Sequence, residues 1–407
     1  MNRRTFMTQS AGTLAAVALM PDLAAARLAS GEQLGVAIVG LGRQGRSIIA
    51  ELQTFEQARI AAICDTDERR LASGGRRAPD AAQFATIDEL LAKGEGVDAV
   101  IVATPTHLHR AVVEPALAAG KHVYCEAPIS NTPDDARAIV RAARASDRVV
   151  QAGFLARSDP VYTLARSFFR SDSVRDPVLL RAQHHDKTSW RTPASDPARE
   201  KALNWRLDPD LSLGLAGEWG SHQFDVMHYF LSAFPTSVTG TGAIRFYDDG
   251  RTVPDTITCT LGFDGGLPML YDATLANSFA GRYEVLHGTN AAIKLAWSHG
   301  WMFKEADAPT QGWEVYANRQ QFFNDEGITL IAGATKLAEQ GKLKEGVGLP
   351  HSALWYGLEA FLKSVLEGEN VTCSIEDGFR STAVGIAAAQ AVNTGEHIAI
   401  TEEMLRA

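Results

Sequence analysis

A chain of 407 residues, 45% hydrophobic and 21% charged, has ordinary globular composition and enough length for two cores, so two domains are expected. Its net charge of −9 has no compensating basic run, which argues against nucleic acid and anionic membrane surfaces and leaves small molecules as the expected ligands. Cys64, Cys125, Cys259 and Cys373 lack metal-ligand spacing; they read as small buried hydrophobes, and no metal site is expected.

The first stretch reads as an export leader. Asn2-Arg3-Arg4-Thr5-Phe6-Met7 supplies a twin-arginine segment ahead of a mildly apolar run over 11–20, and Pro21 with Ala24-Ala25-Ala26 offers cleavage after Ala26. The run is too short and polar for a membrane span. Residues 1–30 are therefore set outside the fold, and a periplasmic or secreted location by the twin-arginine route is expected. That route carries folded proteins, which fits a cofactor bound before export.

The next stretch is an apolar run ending in Gly40-x-Gly42-x-x-Gly45, which predicts a strand, a phosphate-binding turn and a helix. Gly40 permits the tight turn, Gly42 lets a pyrophosphate approach the backbone, and Gly45 lets the helix pack close to the strand. The helix N-terminus would face the phosphates, with Arg43 and Gln44 beside them. Asp65 ends the second apolar run, twenty residues after Gly45. A carboxylate there accepts from ribose hydroxyls and repels a 2′-phosphate, favouring NAD, while Arg69 and Arg70 keep NADP open.

Further along, 86–91 predicts a short helix, 97–103 a strand, 108–119 a helix, 122–125 a strand, 133–145 a helix and 149–153 a closing strand. Continuous rather than alternating apolarity marks these strands as buried on both faces of a parallel sheet. The expected first domain is a Rossmann unit over 31–153, with loops 104–109 and 126–130 facing the cofactor. After a helix near 161–170, the runs at 178–184, 237–245, 256–263, 269–274 and 291–296 read as strands. They predict an α/β domain over 154–407 with a large open, mostly antiparallel sheet, one face for substrate and one for a partner subunit. Helices over 351–366 and 378–391 are expected to pack back on the first domain.

The glycine loop, Asp65, Thr104-Pro105-Thr106-His107-Leu108-His109, Glu126-Ala127-Pro128, Trp205-Arg206, Gly217-Glu218-Trp219-Gly220-Ser221-His222 and Glu376-Asp377-Gly378 follow in that order. Together they resemble the Gfo/Idh/MocA family, the glucose–fructose oxidoreductase and inositol dehydrogenase group. The resemblance implies NAD or NADP binding and action on a sugar, cyclitol or derivative. By it, Thr104, Pro105, His107, His109, Glu126 and Pro128 would line the cofactor, and Glu218 and His222 would be the acid and histidine beside the substrate, although the usual acid is aspartate. On one helix, positions four apart share a face, so Glu218 would orient His222 and stabilise its protonated form. A histidine titrating near the ordinary value of about 6.5 suits taking a proton from a sugar hydroxyl.

Family dehydrogenases usually carry Glu-Lys-Pro, with the lysine as acid/base. Here that position is Ala127. Lys187 and Tyr283 are the candidate substitutes. Trp205 and Arg206 would stack on and hydrogen-bond a sugar; His185 is a further substrate-side candidate, although His184 and His185 read first as a polar strand end. Three functions fit: a sugar or cyclitol oxidoreductase with a tightly held, internally recycled cofactor, a redox-neutral NAD-dependent glycosidase, and a non-catalytic dinucleotide- or sugar-binding protein. A homodimer or homotetramer through the second sheet is expected.

Overall fold

The computed structural model describes residues 33–296, 299–311, 319–322, 325–330 and 349–407; the expected leader over 1–30 lies outside the described residues. Continuous apolar runs form β1 (Leu34–Val39), β2 (Ala58–Cys64), β4 (Ala99–Val102) and β5 (His122–Glu126), which with β3 (Ala82–Phe84) and β6 (Val150–Gly153) make a parallel sheet in the order β3-β2-β1-β4-β5-β6. Between them run α1 (Arg43–Leu52), α2 (Glu68–Gly75), α3 (Ile87–Lys93), α4 (His109–Ala118) and α5 (Pro133–Arg144). Asp67, Thr86 and Thr132 accept from backbone N–H groups at the starts of α2, α3 and α5, which fixes where those helices begin. The strand order reverses between β1 and β4, and the crevice outside their carboxyl ends is where an open α/β sheet binds its ligand.

After α6 (Pro160–Arg170) comes β7 (Pro177–His185), then α7 (Pro197–Leu203), α8 (Gly214–Glu218) and α9 (Gly220–Leu231). The remaining strands are β8 (Ser237–Ala243), β9 (Thr256–Gly262), β10 (Pro268–Thr274), β11 (Arg282–Gly288), β12 (Ala291–Ala296), β13 (His299–Lys304), β14 (Arg319–Phe322) and β15 (Asp325–Leu330). Helices α10 (Ala353–Leu366) and α11 (Ile375–Thr394) precede the short β16 (Ile398–Ala399). The second sheet has ten strands in the order β14-β15-β13-β12-β11-β7-β10-β9-β8-β16, and only β7 and β10 pair in parallel. Its inner face, with Leu180, Ala182, Met269, Tyr271, Leu286 and Ile293, packs under α6, α9 and α11. On the outer face Leu270 stays exposed.

The C-terminal helices do pack back. Leu354, Leu358, Phe361 and Leu362 of α10 share a core with Val36, Ile38, Ile48 and Ile49, each such side chain contributing about 1.5–3 kcal/mol when fully buried. Helix α11 belongs to both domains: Ile375 and Phe379 join the first core and Val384, Ala387 and Ala391 the second. At the junction Arg157 donates to Asp225 at 2.8 Å and to Asp377 at 3.0 Å, while Ser381 donates to Asp225 at 2.7 Å. All four cysteines are buried free thiols. Among the described residues no helix is long and apolar enough to cross a membrane and no cluster of metal-ligand side chains is gathered.

Candidate active site

Each glycine of the first loop has a distinct steric reason. Gly40 has φ +94°, and a Cβ there would lie 2.5 Å from the Ala103 carbonyl oxygen. A Cβ at Gly45 would lie 1.9 Å from the Gly40 carbonyl oxygen, so only glycine lets α1 sit so close to β1. At Gly42 an added Cβ would meet nothing nearer than the Arg70 guanidinium at 3.9 Å. Space is left in front of the loop, and α1 faces it with no side-chain cap and no acid in its first turn, so its free N–H groups and dipole are available to an anion. Asp65 accepts from Leu41 N at 2.7 Å and from Asp67 N at 2.8 Å. That uses two of about four lone-pair sites on a carboxylate, leaving the others for a ribose.

The loops after β4 and β5 complete the crevice. Pro105 leads into a single 3₁₀ turn, Thr106–Leu108. The Thr104 hydroxyl and His107 Nδ1 are buried without a protein partner among the described residues, which is what a site shaped for a polar ligand looks like before that ligand is counted. Gln44 donates to Glu126 Oε1 at 2.9 Å, and burial pushes the Glu126 carboxyl up to about 7. Pro128 follows in a cis peptide. These residues fit a dinucleotide: Gly40 to Gly45 for the diphosphate, Asp65 for the ribose, and Gln44, Thr104, His107 and Glu126 for the nicotinamide half. His109 does not join them. Its ring is 2% exposed, with Nε2 on the Thr104 carbonyl at 3.0 Å and Nδ1 against the Cys125 thiol at 3.6 Å, and burial holds it neutral at about 4. It pins the loop instead of touching a cofactor.

On the substrate side the structure corrects the proposed pair. Trp219 separates α8 from α9, and Glu218 and His222 meet different partners. Glu218 accepts from Thr106 at 3.0 Å and from Leu213 N at 3.4 Å, and burial raises its carboxyl while the Arg206 charge opposes that. His222 lies against Phe154 at 5.4 Å between ring centroids, and the Ala127 carbonyl favours its protonated form. Burial, with the Arg282 charge, lowers it to about 3; at neutral pH it is a neutral imidazole, not the protonated ring that a neighbouring carboxylate would have favoured. Trp205 is also more buried than a stacking platform requires, at 6% exposure. Its ring meets His107 at 5.7 Å and carries the Arg206 guanidinium at 4.4 Å. Apolar surface for a sugar comes instead from half-buried rings: Trp219 stacks on His184 at 3.8 Å and meets Trp190 edge-on at 5.3 Å.

Residues 34–154 match a family described as the oxidoreductase family, NAD-binding Rossmann fold, and residues 183–400 match its C-terminal alpha/beta domain. The chain belongs to the Gfo/Idh/MocA oxidoreductase family. Relatives of this family include inositol 2-dehydrogenase 1 of Saccharopolyspora erythraea, 31% identical over 206 residues, which are 50% of this chain and 56% of that protein. The inositol 2-dehydrogenase of Corynebacterium glutamicum is 32% identical over 157 residues, 38% of this chain and 46% of its own. The chain thus spans about half the length of the curated relatives it matches. A levoglucosan dehydrogenase complexed with NADH and L-sorbose shares the fold with TM-score 0.72 at 18% identity, covering 91% of this chain and 99% of that one. The aldose–aldose oxidoreductase of Caulobacter crescentus does so with TM-score 0.70 at 20% identity, covering 91% and 100%.

Neither candidate for the lysine absent at Ala127 enters the cleft. Lys187 is exposed, with its ammonium 5.3 Å from the Phe246 ring centroid. Tyr283 lies on the outer face of the sheet beside Lys294 and the charges of Arg181 and Asp272. His185 points to that same outer face, its Nε2 2.6 Å from Asp272. Side chains alternate along a strand, so His184, in step with the buried Leu180 and Ala182, is the one that faces His222. Arg282, also on the inner face and bonded to Glu284 at 3.2 Å, was missed in the sequence; its charge reaches both His184 and His222.

Proposed function

We propose that this chain is an NAD(H)-dependent oxidoreductase acting at a ring carbon of a sugar or cyclitol, with the dinucleotide held tightly and recycled without leaving. The observation that carries the reading is the glycine loop with open space at Gly42 and an uncapped α1. When bound, the nicotinamide supplies hydride transfer. This chain's residues supply orientation and proton handling. His222, neutral and beside the Ala127 carbonyl, offers a ring nitrogen that accepts from a substrate hydroxyl. Arg282 lies where negative charge on that oxygen would be stabilised. Trp190, Trp219 and His184 take the apolar face of the ring.

Export by the twin-arginine route and self-association through the outer face of the second sheet belong to the same proposal. The exposed Leu270 supports the second of these. A redox-neutral glycosidase is the second reading, suggested by Ala127 in place of the dehydrogenases' acid/base lysine; there the hydroxyl proton taken up during oxidation is given back when hydride returns.

The test is a single-turnover experiment on protein loaded with NAD⁺. A panel of inositols, aldoses and aryl glycosides is added, and nicotinamide absorbance and products are followed together. The oxidoreductase reading predicts NADH formation with a sugar or inositol and its reversal by a second carbonyl sugar. Aglycone release with no net change in nicotinamide selects the glycosidase, and binding with no turnover rejects both.

A further inference from the structure

One segment of the second domain crosses the whole mouth of the first. From α7, Arg199 donates to Asp67 Oδ2 at 2.5 Å, in the loop after β2. One turn on, Trp205 meets His107 in the loop after β4. At the far end Asn131, beyond β5, donates to the Leu211 carbonyl at 3.1 Å. The root of the segment is tied to its own domain, where Arg251 donates to the Ser189 carbonyl at 2.7 Å and Arg191 to the Asp249 carbonyl at 2.9 Å. The crossing part closes on itself, Thr192 N donating to Asn204 Oδ1 at 2.6 Å.

Trp190 at its root packs against the second domain's core, but its attachment to the first domain is mainly polar. Leu203 and Trp205 are buried, yet neither belongs to the three apolar clusters that hold the fold. A segment attached by ion pairs and single hydrogen bonds opens at far lower cost than one sharing a core. Arg206 folds its guanidinium over the Trp205 ring at 4.4 Å, and Arg70 stands at the open side of Gly42.

We propose that residues 189–211 form a strap that closes over the bound dinucleotide, with Asp67–Arg199 as its latch, and that opening the strap limits nucleotide release. The proposal rests on the dinucleotide reading above and adds the device that retains it. The nucleotide enters with the strap open, the diphosphate meets α1, and the latch closes beyond the ribose.

The full chain is loaded with NADH, chased with excess NAD⁺, and the loss of bound-nicotinamide fluorescence is timed. Arg199→Ala and Asp67→Asn should each speed release about tenfold, the worth of one partly exposed charge-assisted hydrogen bond, with association nearly unchanged. The double variant should be no faster than either single one, since both break one latch. Asp67→Asn keeps an acceptor for the cap of α2, and Arg199→Lys should restore slow release in part. Release within twofold of wild type in both latch variants, with melting temperatures unchanged, overturns the strap while leaving the nucleotide site standing. Failure of wild type to take up NADH or NADPH overturns the site and the strap together.

Discussion

Glu126 gives the most quantitative consequence of the site. It is 9% exposed, and burial raises its carboxyl from 4.5 to about 7 despite hydrogen bonds from Gln44 and Ala127 N. The folded chain therefore keeps this proton after the unfolded chain has released it. Protonation stabilises the fold fully below about pH 4.5, and that contribution is lost as pH rises through about 7. At about 1.36 kcal/mol per pH unit, the interval is worth about 3 kcal/mol. Glu126→Gln retains an acceptor for Gln44 and cannot ionise. Its stability relative to wild type, measured by urea unfolding from about pH 4.5 to about pH 8, should start near zero and rise to about 3 kcal/mol in favour of glutamine. Other titrating groups, Glu218 among them, are common to both proteins and cancel in the difference. A difference that stays flat across that range would refute the assignment of a buried, near-neutral carboxyl at this loop.

Gly42→Ala should fold with stability within about 0.5 kcal/mol of wild type and lose NADH affinity about tenfold or more, because its methyl fills only the ligand space; Gly45→Ala, aimed at backbone, should cost about 3 kcal/mol in thermal unfolding. Arg157→Ala should cost about 3–5 kcal/mol by stranding the fully buried Asp225, read as a drop in the urea midpoint. His222→Asn should slow single-turnover hydride transfer about 100-fold or more while NADH titration changes less than twofold. Lys187→Ala should leave that transfer unchanged, since its ammonium lies over Phe246 outside the cleft; a large loss would return it to the proton path.

Much of the first domain is legible because one strand pattern and one glycine pattern each have a single steric explanation. The second domain is legible where β-branched runs alternate and not where function or burial intrudes. Strand β11 escaped notice because Glu284, fully buried, stands in its core register, accepting from Tyr162 at 2.6 Å and from Arg282 and Gln223. A charged residue reads as surface until its partners, more than a hundred residues away in the case of Tyr162, are known. The Glu218–His222 pairing failed for a related reason: spacing of four implies one face only on an unbroken helix, and Trp219 breaks it. His184 could have been found from alternation with Leu180 and Ala182. The strap could not, because Asp67 and Arg199 are joined only by the fold.

On the function proposed above, the loop from Gly40 to Gly45 holds a dinucleotide that does not readily leave. Protein purified with no nucleotide added, then denatured and analysed for NAD(H) and NADP(H), should release close to one NAD(H) per chain. Nucleotide-free protein that also fails to bind NADH or NADPH on titration would overturn that function.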